Sequence, residues 1–358
     1  MNQWIIRSQE IQPLSKEWLR KAHQRLDEQT RPQGSLGRLE EAIAKLVAIQ
    51  HKERPQLEKK RILIFASDHG VEKEGVSLYP REVTKAMVLN FLNGGATINA
   101  LARQIDAEVK VIDVGVDADF AKHDCLVQAK VGRGTKNFKV EPAMTLEELN
   151  QSLDVGWRMV QEAKEDQVDI LAIGEMGIGN TTAASAVIAA CLHVQPALVT
   201  GRGTGVNQAG LQHKIEVIEE SIQKHAPHLD QPLGVVQYVG GFEIAAMTGA
   251  ILACAHFALP VVLDGVVVAA AALAALQLNP AISDYIFVGH ESEERGHRFV
   301  LERFDQQPLL RLSMKLGEAS GAALAIGILE AGVRIYNEVA TFAEAQVANK
   351  KESIAHPQ

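Results

Sequence analysis

The residues in this chain best suited to chemistry are glutamates set among glycines. Glu318 lies in Met314-Lys-Leu-Gly-Glu-Ala-Ser-Gly-Ala-Ala-Leu-Ala325, between Gly317 and Ala319. The small-residue turn reads as the start of a helix. A carboxylate there serves either as a first-turn complement to the helix dipole or as a general base in a small-residue pocket. Glu175 opens Gly174-Glu-Met-Gly-Ile-Gly-Asn-Thr-Thr182, which follows an apolar run and precedes an Ala-rich one. Gly177 and Gly179 let a ligand approach the backbone. Asn180 and Thr181 offer caps and free N–H groups where a helix begins, which is the chemistry of an anion site. The plainer reading is a Gly-rich turn with a capping residue. The order of residues is neither a P-loop nor a dinucleotide fingerprint.

Thr200-Gly-Arg-Gly-Thr-Gly205 is a second such loop, with Gly203 at its centre and Lys214 downstream. Lys214 could supply a point charge to a phosphate. Read on its own it is a solvated surface lysine. Gly240-Gly-Phe-Glu243 is a third turn, whose plain reading is close packing of a helix on a sheet. Asp68-His69 reads as a hydrogen-bonded loop brace before a catalytic pair. His290 and His297 do not form the HExxH zinc pattern, and no GxSxG elbow is present. No metal site and no cofactor is expected.

Five apolar runs precede these turns: Arg61–Ser67, Val109–Val114, Asp169–Ile173, Pro260–Leu263 and Tyr285–Val288. Each ends near an acid: Asp68, Asp113, Glu175, Asp264 or Glu291. Helical stretches separate them. This alternation predicts an α/β fold with a parallel sheet flanked by helices, with ligands beyond the carboxyl ends of the strands. Residues 1–60 carry helical patterns instead: one helix capped by Ser15 to about Asp27, and another from Leu39 to Lys52. A last helix is expected from Gly321 to Asn349, with a frayed tail from Lys350. The sequence therefore divides into an α/β catalytic domain, 61–325, and a small helical domain from 1–60 with 326–358.

The chain has 358 residues, 47% of them hydrophobic, and a net charge of −8. That acidity, with aromatics at only 5%, argues against nucleic-acid binding. No uninterrupted apolar stretch is long enough for a bilayer. Three scattered cysteines, with no signal-peptide pattern, point to a reducing, cytoplasmic setting.

Taken in order, Arg31-Pro-Gln-Gly-Ser-Leu-Gly-Arg38, Asp68-His-Gly70 with Glu74-Gly-Val76, the Gly174–Thr182 loop, Gly240-Gly-Phe242, Leu263-Asp-Gly265 and Leu316-Gly-Glu-Ala-Ser-Gly-Ala322 span nearly the whole length. Through them the chain resembles the nicotinate-nucleotide–dimethylbenzimidazole phosphoribosyltransferase family. The resemblance implies a Rossmann-like large domain, a small helical domain from both chain ends and a homodimer. It implies transfer of the ribose 5-phosphate of nicotinate mononucleotide to 5,6-dimethylbenzimidazole, inverting C1′ and giving α-ribazole 5′-phosphate and nicotinate. On that basis the family's catalytic glutamate falls on Glu318 and its second active-site glutamate on Glu175. Phosphate and substrate contacts fall on Gly177, Gly179, Asn180, Thr181, Gly203, Lys214 and Asp264, and the base pocket on Tyr79, Met87 and Leu316. Family members often carry Ser and Gln at the positions of Tyr79 and Met87, which leaves the preferred base open. A nucleotide hydrolase on the same sheet and a non-catalytic nucleotide sensor are the alternatives.

Overall fold

The computed structural model describes residues 3–348. The chain clusters into two units. Among the described residues, the first comprises 3–13 with 58–327, and the second 14–57 with 328–348. Residues 3–13, expected with the helical ends, thus go with the larger unit.

The larger unit is built on six parallel strands: β1 (Lys60–Ser67), β2 (Ala107–Gly115), β3 (Leu126–Gln128), β4 (Ile170–Met176), β5 (Val261–Leu263) and β6 (Ile286–Val288). Their order across the sheet is β3-β2-β1-β4-β5-β6. Every residue of β1, β5 and β6 is buried. This is why the parallel strands read as continuous apolar runs and not as alternating ones. β3 was not among the five expected strands. It pairs Leu126 with Val111 and Val127 with Ile112.

The helices Phe242–His256 and Val266–Leu278 are buried almost all round, so no polar stripe marks them in sequence. Among the described residues no helix is long and apolar enough to cross a membrane. The chain runs outward from β1 in both directions across the sheet. The switch between β1 and β4 is where an open parallel sheet leaves a crevice at its carboxyl edge. Asp68 and His69 follow β1, Glu175 is the next-to-last residue of β4, and the Gly177–Gly179 turn follows it.

In the second unit, Ser15 caps the helix Lys16–Glu28, accepting the Trp18 N–H at 3.5 Å. That helix and Arg38–Gln50 pack through Ala22, Leu26, Ile43 and Val47, with Tyr336 against them. The Arg31–Arg38 segment is a brace here. Glu40 accepts from both the Arg31 guanidinium and the Leu36 N–H. The last helix is Ser320–Glu338, shorter than the expected 321–349. Thr341 N–H donates to the Glu344 carboxylate at 2.7 Å, and Glu344 N–H donates back to the Thr341 hydroxyl at 3.1 Å. This reciprocal pair closes a new local turn in place of helix continuation. The expected tail from Lys350 lies outside the described residues.

Candidate active site

Gly317, Glu318 and Ala319 all have positive φ, at 86°, 61° and 63°. Only the first is a glycine, so two ordinary residues sit in the left-handed region, a disfavoured conformation that concentrates at functional sites. Several contacts hold the turn. The Ser320 hydroxyl and N–H both donate to the Gly317 carbonyl, at 2.7 and 3.0 Å. The Asp264 carboxylate, from the end of β5, accepts the N–H groups of Gly321 and Ala322 at 2.7 and 3.2 Å. It therefore caps the helix from another strand. Below, β4 presses against the turn. A methyl on Gly174 would lie 2.2 Å from the Ala319 nitrogen and 2.7 Å from the Glu318 carbonyl carbon.

This packing puts two glutamates together. Gly317 leaves so little room that a methyl there would lie 2.6 Å from Glu175 Oε1. Glu318 is buried, and its Oε2 has no hydrogen-bond partner, as is true of Asp264 Oδ2. Burial, reinforced by the Asp264 charge, raises the Glu318 carboxyl to about 7. Glu175 is half-buried and accepts from the Asn180 side-chain amide. Burial first, then the charges of Asp264, Glu243 and Glu318, push it to about 8 against that hydrogen bond. With Asp264 beside them, Glu175 and Glu318 both hold their protons more tightly than free carboxyls do. Glu318, the lower of the two raised groups, is the one poised to exchange a proton there.

The candidate anion end of the site lies at the start of the helix Asn180–Leu192. Lys214 Nζ donates to the Thr181 hydroxyl at 2.8 Å. Gly203 closes over both. A methyl on it would lie 2.6 Å from Thr181 Oγ1 and 3.1 Å from Lys214 Nζ. Lys214 is 1% exposed, so the solvated-surface reading of it is overturned. Burial pulls its ammonium down to about 8, partly opposed by Glu294. The sequence held a signal for this. In the helix Gln208–Leu229, Lys214 shares the i, i+3, i+4 face of the buried Leu211, Ile215 and Ile218.

Not every acid at a strand end joins the site. Asp113 is held by Lys130 Nζ at 2.6 Å, and Glu291 by Arg311 at 2.9 Å. Asp68 accepts the Asp117 N–H at 2.8 Å and faces Arg81, as a brace. His297 Nδ1 accepts from the Ser292 N–H at 2.8 Å, and burial pushes its imidazole down to about 3. Tyr79 and Leu316 are 54% and 50% exposed, and Met87 is half-buried. A pair the sequence reading passed over is His69 with Glu243. Both are fully buried, 2.7 Å apart. Only the Gly-Gly-Phe-Glu turn hinted at it.

One consequence concerns stability. In the unfolded chain Glu175 ionises near 4.5, and in the folded chain near 8. Between those values unfolding releases a proton, so this residue lowers stability as pH rises. Glu175→Gln keeps an acceptor for Asn180 and removes the ionisation. The variant is expected to melt above the native protein at about pH 9, with the difference shrinking towards about pH 5. Thermal melts across that range test it, and a constant difference at all pH values counts against it.

The family model for phosphoribosyltransferases matches residues 11–347. The nicotinate-nucleotide–dimethylbenzimidazole phosphoribosyltransferase of Geotalea uraniireducens is 51% identical over 338 residues, covering 94% of this chain and 96% of its own. That of Chloroflexus aggregans is 49% identical over 343 residues, covering 96% and 97%. Among solved structures, CobT from Thermus thermophilus superposes with a TM-score of 0.90 at 44% identity, covering 93% of this chain and all of its own. A second structure of the Thermus thermophilus phosphoribosyltransferase gives 0.89 at 42% identity, covering 94% and 100%.

Proposed function

The chain belongs to the nicotinate-nucleotide–dimethylbenzimidazole phosphoribosyltransferase family and is an enzyme of that activity, and we propose that Glu318 is its general base and that the transfer inverts C1′. The reaction moves the 5-phosphoribosyl group of nicotinate mononucleotide to 5,6-dimethylbenzimidazole. A ring nitrogen of the benzimidazole forms a bond to C1′ while the bond from C1′ to the pyridinium nitrogen breaks. That electron pair returns to the nicotinate ring, so the leaving group needs no acid. The attacking base carries a proton on its other nitrogen, and Glu318 takes it. The observation that carries this role is the buried, unpartnered Glu318 Oε2, with its carboxyl raised to about 7. A base so poised contributes on the order of 10²–10⁴-fold.

Positive charge builds on the ribose as the bonds exchange, by analogy with glycosidic chemistry. Glu175, with its carboxyl raised to about 8, orients the sugar as a neutral hydrogen-bonding group and opposes that charge only once ionised. Lys214, Thr181, Asn180 and the glycines at 177, 179 and 203 receive the 5-phosphate, and this remote anchor positions C1′. Asp264 acts on the turn that carries Glu318, through the two backbone N–H groups it caps. Tyr79, Met87 and Leu316 form the wall for the acceptor base on this reading. The resemblance supports a homodimer in the cytoplasm. Incubation with both substrates and NMR of the product tests the proposal. The α-anomer of ribazole 5′-phosphate is expected. The β-anomer would refute inversion, and free nicotinate in the absence of an acceptor would mark a hydrolase.

A further inference from the structure

His69 and Glu243 come from distant parts of the chain and meet in the interior. His69 follows β1, and Glu243 lies in the first turn of the helix Phe242–His256. His69 Nε2 and Glu243 Oε1 are 2.7 Å apart, and neither side chain has any exposed surface. His69 Nδ1 and Glu243 Oε2 are buried without hydrogen-bond partners. Desolvating such a pair is costly, and equivalent apolar packing would stabilise the fold at least as well. Its cost calls for a use other than stability.

The surroundings indicate that use. The imidazole is clamped between two glycine turns. A methyl on Gly241 would lie 2.2 Å from His69 Cε1 and 2.7 Å from Glu243 Oε2. On the other side, a methyl on Gly177 would lie 2.3 Å from the Ser67 carbonyl and 3.5 Å from the His69 ring, and one on Gly179 would lie 3.2 Å from His69 Cβ. The Gly177–Gly179 turn leads directly to Asn180, which holds Glu175, and to Thr181, which holds Lys214. The His69 ring is the floor of that turn.

We propose that His69 and Glu243 form a buried positioning pair that sets the Gly177–Thr181 turn in the shape that receives the substrate phosphate. Neither is a catalytic residue. The inference rests on the transferase reading and adds two residues to it. A planar ring fixed at one edge by a carboxylate cannot rotate or withdraw, so the turn above it keeps a single height. Without the carboxylate the ring is free to tilt, and the turn above it loses its fixed height.

The test is steady-state kinetics of Glu243→Ala, Glu243→Gln and His69→Ala, with inorganic phosphate as a competitive probe. Glu243→Ala and His69→Ala are expected to raise KM for nicotinate mononucleotide and the phosphate inhibition constant together, by about tenfold or more, with kcat within about threefold. Glu243→Gln is expected to recover most of that loss, because its amide oxygen still accepts from the imidazole. Three results would overturn the proposal: a fall in kcat at native KM; native kinetics with only a lower melting temperature; or Glu243→Gln as damaging as Glu243→Ala. If His69→Ala fails to fold, the two Glu243 variants decide. If the native enzyme does not turn over, it is the transferase reading that fails. Phosphate binding by calorimetry to the same variants then still tests the pair.

Discussion

Glu318→Gln is expected to reduce kcat by about 10²–10⁴-fold while leaving KM for nicotinate mononucleotide near native. The amide matches the carboxylate in shape, so the turn from Gly317 to Ser320 and its Asp264 cap remain. It cannot take the benzimidazole proton. Substrate binding is spared because the phosphate contacts are proposed on a different element, around Thr181 and Lys214. The native enzyme should also show a pH dependence that the variant lacks. With the Glu318 carboxyl raised to about 7, the base is protonated and silent at lower pH, and kcat/KM rises as pH passes upward through that value. The variant's profile is expected to be flat over the same limb. A Glu318→Gln enzyme running at near-native rate would make Glu318 structural and shift the base assignment to Glu175.

Lys214→Met is expected to act in the opposite way. Losing a buried cation from an anion site typically weakens binding by about 10²-fold or more. That loss should appear as a higher KM for nicotinate mononucleotide and less in kcat. Stability is expected to hold or increase, because an ammonium that is 1% exposed is replaced by an apolar chain of similar length. Lys214→Arg offers no rescue. Gly203 and Thr181 enclose a point charge, and a planar fork does not fit that space. Kinetics and a melting curve on one preparation check both halves. A native KM would remove Lys214 from the phosphate site.

Much of this was legible in the sequence, for physical reasons that also explain the gaps. Parallel strands buried on both faces must be apolar throughout, so β1, β2, β4, β5 and β6 stood out as runs. β3, Leu-Val-Gln, is buried only at Leu126 and grades to an exposed Gln128, so no apolar run marks it, and its place is fixed only by pairing with β2. The last helix was overextended because apolar residues continue past Glu338, and periodicity does not register a Thr341–Glu344 exchange of hydrogen bonds. The glycines at 177, 179, 203 and 317 marked turns, while Gly174 lies inside β4, and neither setting declares what the glycine touches. The pairing of Glu175 with Glu318 depends on Gly174 and Gly317 approaching across the sheet edge, and that proximity is absent from any local window. The burial of Lys214 was readable from its helix face. The His69–Glu243 contact spans 174 positions, and the Gly-Gly-Phe-Glu turn hinted at only one half of it.

The consecutive left-handed residues at Glu318 and Ala319 bear on the history of the chain. Each non-glycine residue held there forgoes roughly 1–2 kcal/mol that glycine would recover. A lineage released from the need for turnover would gain stability by drifting to glycine at either position, one substitution at a time. Two disfavoured side chains side by side are thus a cost that folding alone does not require.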